Sequence, residues 1–204
     1  MNRPDFSASK RFFSATFLTL ILALSSGVYA AGMTDWVSTV ESPSTPEFIT
    51  EGLPADAPLE GTLITIDTTE NVLYLFRDGE LVKKDVAATG MDKVLKKGKR
   101  TWLFRTPRGI HKVLRKIVDP IWTKPDWAFI EKGQAVPPMS SPKRKEKGVL
   151  GKYALDLGDG ILIHGTKELK SLGTKASHGC IRLGPEMLET IFREADVGTQ
   201  VYIF

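Results

Sequence analysis

The stretch Ser177-His178-Gly179-Cys180-Ile181-Arg182-Leu183 gathers the groups that nucleophilic acyl chemistry needs. Cys180 is the only cysteine of the chain and His178 is one of three histidines. Thiolate is the reactive form of cysteine and nearby cations favour it, so an imidazole and the Arg182 guanidinium beside the thiol point to a covalent acyl-enzyme. His178 and Cys180 are two positions apart, and in an extended segment both side chains project to one face. Gly179 lets a substrate approach the backbone closely, and the N–H groups of Gly179 and Cys180 are the natural oxyanion donors. A second imidazole, His164, ends the apolar run Ile161-Leu162-Ile163-His164-Gly165. Strand ends hold side chains rigidly, and the intervening loop is long enough to fold back and set this imidazole against the thiol. No Asp or Glu stands where it could orient that ring, so a backbone carbonyl is the expected orienter. Two other readings stay open: a lone buried cysteine is ordinarily an inert small hydrophobe, and His164, His178 and Cys180 could supply three zinc ligands. The metal reading lacks a carboxylate base within these motifs, and the thiol reading expects no metal or other cofactor.

The elements that must position these groups are mostly strands. Leu63 to Asp67 alternates, Asn71 to Arg77 does so with heavier hydrophobicity, and Arg77-Asp78-Gly79-Glu80 marks a turn into a third strand. Lys152 to Leu157 and Ile161 to Gly165 form another pair around Gly158-Asp159-Gly160. After the cysteine, Gly184-Pro185-Glu186 opens a helix carrying Met187, Leu188, Ile191 and Phe192 at helical spacing, and Thr199 to Phe204 closes the chain as a strand. The expected fold is mainly β, sandwich-like, with one short helix after the cysteine. Lys93 to Lys99 reads as a polar loop, and Lys93–Arg100 and Lys143–Lys147 read as basic loops on the surface. Residues 119–142 hold five prolines with Trp122, Trp127 and Phe129, the composition of a functional loop or lid. Trp122, Trp127 and Tyr153 are the candidate walls of a substrate cleft.

Residues 1–30 carry Arg3, Lys10 and Arg11, then an apolar run from Phe12 to Leu24 and small residues before Ala31, the pattern of a secretory signal peptide that is cleaved or kept as an anchor. Residues 31–61, with four prolines, read as a linker or an arm over the domain, and 62–204 as the catalytic domain. Export makes the unpaired Cys180 more telling, because oxidising compartments normally pair cysteines. Removing the signal leaves 25 basic against 23 acidic residues, a balance that gives no electrostatic reason to bind nucleic acid.

Ile163-His164-Gly165-Thr166 together with Ser177 to Leu183 resembles the signature of the L,D-transpeptidases, whose catalytic unit is the YkuD domain. Thr106-Pro107-Arg108-Gly109, Pro120-Ile121-Trp122 and Gly148 to Tyr153 are similar to stretches of Gram-negative members. The resemblance covers roughly residues 60 to 204 and implies a β-rich sandwich and acyl transfer on peptidoglycan stem peptides, in the service of cell-wall biogenesis and cell shape. It implies Cys180 as the nucleophile that expels the terminal D-alanine, and His164 as the base, oriented by the Gly165 carbonyl. His178 and Gly179 would shape the oxyanion site, and Arg182 would receive a carboxylate or support the cysteine loop. The acyl group would pass to an amine, giving a 3-3 crosslink or attaching an outer-membrane lipoprotein, or to water, giving a carboxypeptidase. The implied location is the periplasm. A catalytically idle wall-binding protein of the same fold is the alternative. One departure stands out: the family commonly sets its Thr-Pro-x-Gly turn soon after the Thr-Gly ending the preceding strand, whereas a basic insertion separates Thr89-Gly90 from Thr106-Pro107 here.

Overall fold

The computed structural model describes residues 51–204; the signal-peptide reading and the first part of the arm lie outside them. Its strands, in chain order, are β1 (Thr62–Asp67), β2 (Val72–Arg77), β3 (Glu80–Gly90), β4 (Lys93–Lys97), β5 (Arg100–Phe104), β6 (Gly109–Lys112) and β7 (Arg115–Val118), followed by β8 (Ile121–Thr123), β9 (Lys145–Lys147), β10 (Tyr153–Gly158), β11 (Ile161–Gly165), β12 (Lys175–Ser177), β13 (Ile181–Leu183) and β14 (Gln200–Ile203). A five-residue helix α1 (Asp126–Ile130) lies between β8 and β9, and the amphipathic helix α2 (Pro185–Glu194) follows the cysteine segment.

Ten strands form one curled sheet in the order β6-β14-β1-β2-β3-β13-β11-β10-β7, with β12 on the end of β3. The alternation seen in the sequence explains the curl. Ile64, Ile66, Leu73 and Leu75 from one half meet Leu155, Ile163, Ile181 and Leu183 from the other, and α2 adds Met187, Leu188 and Ile191 to the same fully buried core. The opposite parity of β1, β2 and β14 presents Leu63, Tyr74, Phe76 and Tyr202 to the other side, where Leu53 and Ala57 of the arm cover them. Thr65 Oγ1 also donates to the Gly52 carbonyl. Residues 51–61 therefore lie over the sheet as the end of the arm.

Two segments differ from their reading as loops. Lys93 to Lys99, expected as a loop, forms β4 and the turn of a β-hairpin with β5, with Leu95 opposite Trp102 and Lys97 opposite Arg100. Its base is closed by Asp92 N–H donating to Phe104 O at 2.8 Å and by Gly90 N–H donating to Thr106 Oγ1 at 2.8 Å. The basic insertion is thus looped out, and Thr89-Gly90 and Thr106-Pro107 meet as if it were not there. Residues 119–147 are also more ordered than a lid of bare loop: β8 and β9 pair, and α1 buries Ala128 and Phe129. Arg144, from a cluster read as basic surface, is 2% exposed. It donates to the carbonyls of Pro137, Pro138 and Lys124 and to Asp126, with its guanidinium 5.3 Å from the Phe129 ring. A planar five-donor fork suits this task, since it satisfies several otherwise orphaned carbonyls of a proline-rich turn. Among the described residues no helix is long and apolar enough to cross a membrane.

Candidate active site

β11 and β13 run parallel at the centre of the sheet, with Ile163 opposite Ile181 and His164 opposite Arg182. One position back, Leu162 stands level with Cys180, so Cys180, Arg182 and His164 share the face of the sheet that points away from the Ile163–Ile181 core. His164 is buried, and its Nδ1–H donates to the Gly165 carbonyl at 2.6 Å. That bond fixes the tautomer and leaves Nε2 as the bare acceptor. The His164 backbone is held from behind: Gly165 N–H donates to Leu150 O at 2.8 Å, and a Cβ on Gly165 would lie 3.0 Å from Gly151 Cα and 3.1 Å from Leu188 Cδ2. Glycine at 165 is what lets α2 and the 150–151 turn close on this strand end.

The cysteine segment turns sharply at Gly179, whose φ of +129° belongs to glycine. Met91 N–H donates to Ser177 O, and Thr106 Oγ1 donates to Gly179 O at 2.9 Å. The Gly179 N–H donates to Ser177 Oγ at 3.1 Å. This corrects the reading of Gly179 as an oxyanion donor: its N–H is already engaged inside the loop. Cys180 is half-buried, and its S–H donates to the Gly160 carbonyl at 3.6 Å.

Burial sets the proton chemistry. It lowers the His164 pKa to about 4, and Arg182 pushes the same way against the Gly165 carbonyl. Burial raises the Cys180 thiol, with the Leu162 N–H and Arg182 opposing it and Asp156 adding to it. The resting pair at neutral pH is therefore a thiol and a neutral imidazole, not a preformed ion pair. Alkylation of Cys180 by iodoacetamide is expected to be slow at neutral pH and to climb through the alkaline range; a fast plateau at acidic pH would show the opposite pairing.

The same shift bears on stability. Unfolded imidazole takes up a proton near 6.5, folded His164 only near 4, so between those values the unfolded chain binds more protons and stability falls as pH falls. The loss reaches about 3 kcal/mol below pH 4. Denaturant titrations at pH 7 and pH 4 should show this difference shrinking by that amount in His164→Gln.

The other candidate residues divide. The His178 ring stacks on Trp127 at 4.0 Å and 12°, meets Phe104 edge-on at 4.5 Å, and bonds Glu131 Oε2 at 2.8 Å. It thus clamps the cysteine loop to α1 and the β4–β5 hairpin. Trp127 lies beside Trp122, with centroids 6.1 Å apart, and Trp127 stacks on His178 of the cysteine loop. Tyr153 is not part of this cluster. It has the parity of Leu155, opposite to that of Ala154, which pairs with His164, and its ring stacks on Phe192 of α2 at 4.2 Å. Arg182 keeps a long 3.5 Å contact to the exposed Glu168, which leaves most of its donors unspent. Among the described residues no three His, Cys, Asp or Glu side chains gather as a metal set. Asp156, which escaped the sequence reading, is buried on the catalytic face, binds Arg115 Nε at 2.9 Å and accepts from Gly158 N–H.

A sheet of this order, with a cysteine and a histidine on one face at its centre, defines a class. Residues 61–203 match the family model of the L,D-transpeptidase catalytic domain, YkuD. The chain belongs to that family. The "Probable L,D-transpeptidase YbiS" of Escherichia coli K12 is 36% identical over 92 residues, 44% of this chain and 30% of that one. The "Probable L,D-transpeptidase ErfK/SrfK" of Salmonella typhimurium LT2 is 28% identical over 147 residues, 69% of this chain and 43% of that one. The structure of an L,D-transpeptidase from Mycobacterium smegmatis superposes with a TM-score of 0.51 at 25% identity, covering 70% of this chain and 58% of the other. The chain thus spans between 30% and 58% of the length of these relatives.

Proposed function

We propose that this protein is an exported, periplasmic L,D-transpeptidase that cuts peptidoglycan tetrapeptide stems through a thioester on Cys180. The observation that carries this reading is the placement of Cys180 directly before β13, beside the parallel strand β11 that carries His164, with Gly165 O on Nδ1 and Nε2 left to accept a proton. Once the thiol turns from Gly160 O to the imidazole, Nε2 takes its proton as sulfur attacks the carbonyl of the third stem residue. The Cys180 N–H is assigned the developing oxyanion, since the Gly179 N–H is bound to Ser177. Collapse breaks the C–N bond, and the imidazolium returns its proton to the departing D-alanine amine. Arg182 lies level with His164 and its charge acts on both catalytic groups, which suits it to steady negative charge at this centre.

Trp122 and Trp127 supply an apolar wall for the stem, and an amine acceptor then completes a 3-3 crosslink or attaches a lipoprotein. Chromatography of disaccharide-tetrapeptide incubations is expected to show D-alanine release that Cys180→Ala abolishes. Binding to sacculi with no D-alanine release would instead identify an idle wall-binding protein, and release with only hydrolysed tripeptide a carboxypeptidase.

A further inference from the structure

Beside the Gly179 segment, to which its Thr106 is bonded, lies a cavity of about 320 Å³ that the chemistry above does not use. Its lining includes Thr68, Asp92, Arg105, Thr106, Arg108 and Lys175. Asp92 is shared by Arg105 at 2.6 Å and Lys175 at 2.9 Å, so one carboxylate faces two cations. Arg108 has no carboxylate partner among the described residues. Its Nε and Nη2 donate to Thr68 Oγ1 at 3.2 and 3.1 Å, and that hydroxyl in turn donates to Phe204 O. Most of the five N–H donors of Arg108 are therefore unspent, in a cavity with three cations against one anion.

The floor is tied to the nucleophile. The Thr106 hydroxyl accepts from Gly90 N–H and donates to Gly179 O, and Lys175 lies on β12, which runs into Ser177. Water would need no such site; a charged acceptor would.

We infer that this cavity is the acceptor's anion subsite: it holds a carboxylate of the second stem peptide while that stem's amine reaches the Cys180 thioester. This rests on the transferase reading above. The amine nitrogen attacks the thioester carbonyl, the C–N bond forms as the C–S bond breaks, and the proton lost by the amine returns through His164 to sulfur. Arg108 and Lys175 position the acceptor; they do not touch the reacting atoms.

The test forms the acyl-enzyme with a tetrapeptide donor and offers two acceptors, a stem tripeptide with free carboxylates and its fully amidated counterpart. The free acid should be preferred at least about tenfold, the worth of one charge-assisted hydrogen bond. Arg108→Gln should erase the preference, Arg108→Lys should restore part of it, and D-alanine release in the first half-reaction should stay within about twofold of the parent, which also reports folding. Lys175→Gln is the second variant, with a smaller loss in the same direction. Equal use of acid and amide by the parent, or a preference that survives both Gln variants, would overturn the inference while leaving the first half-reaction standing. So would acetate in large excess suppressing both acceptors alike, which marks a site for small anions only. Absence of D-alanine release from the parent would instead sink the transferase reading on which the inference depends.

Discussion

His164→Ala is expected to lose acyl-enzyme formation by about a thousandfold while keeping the fold. Among the described residues the neutral thiol has no other free imidazole at hand, because the His178 ring is bound to Glu131 and stacked on Trp127. Its pKa is raised by burial, so little thiolate exists at neutral pH without proton transfer to Nε2. The alanine removes a buried imidazole from the face of β11 opposite the Ile163–Ile181 core, and the β11–β13 register should persist. The measurement is a single-turnover assay of D-alanine release beside a thermal melt. Normal acylation in His164→Ala, with His178→Ala inactive, would reverse the two roles.

Arg144→Met is expected to cost about 3 kcal/mol, because it leaves the Pro137, Pro138 and Lys124 carbonyls without the fork that satisfies them. The damage should concentrate in residues 119–147. Arg144 also binds Asp126, which in turn binds Arg100, so the guanidinium links the lid to the β4–β5 hairpin. Loosening that link frees Trp127, and with it the surface on which His178 rests. Hydrogen exchange should show opening across α1 and β8–β9 with β10 and β11 still protected, and tetrapeptide turnover should fall even where the rest of the sheet is intact. Uniform protection in the variant would contradict the proposed role of Arg144.

Much of the scaffold was legible because its strands have one buried face. The alternation in 62–67, 72–77 and 153–157 and the apolar run 161–165 state their own structure, and Gly184-Pro185-Glu186 marks the start of α2. Residues 93–99 look like a loop because much of the hairpin is exposed: Val94 and Leu103 lie open to solvent among lysines, so no hydrophobic alternation records the pairing of β4 with β5. Arg144 was read as surface charge because composition cannot reveal a guanidinium enclosed by carbonyls of its own turn. For Tyr153 the β10 pattern gives two faces but not which of them meets His164; that depends on register with β11, a long-range fact.

In the site, the cysteine segment and His164 announced themselves by residue type. The bond between Gly179 N–H and Ser177 Oγ did not, since it depends on the turn at Gly179. Nor did Glu131, 47 residues away from His178 in sequence. Local chemistry is written in short motifs, whereas the partners that aim and clamp it come from distant segments that only the closed sheet brings together.

The most direct test of the central claim is mass spectrometry of the protein after exposure to disaccharide-tetrapeptide, with peptide mapping of the adduct. The predicted result is a covalent adduct equal to the donor less D-alanine, located on Cys180. An unmodified Cys180 in protein that nonetheless binds the muropeptide, or an adduct mapped to any other residue, would contradict it.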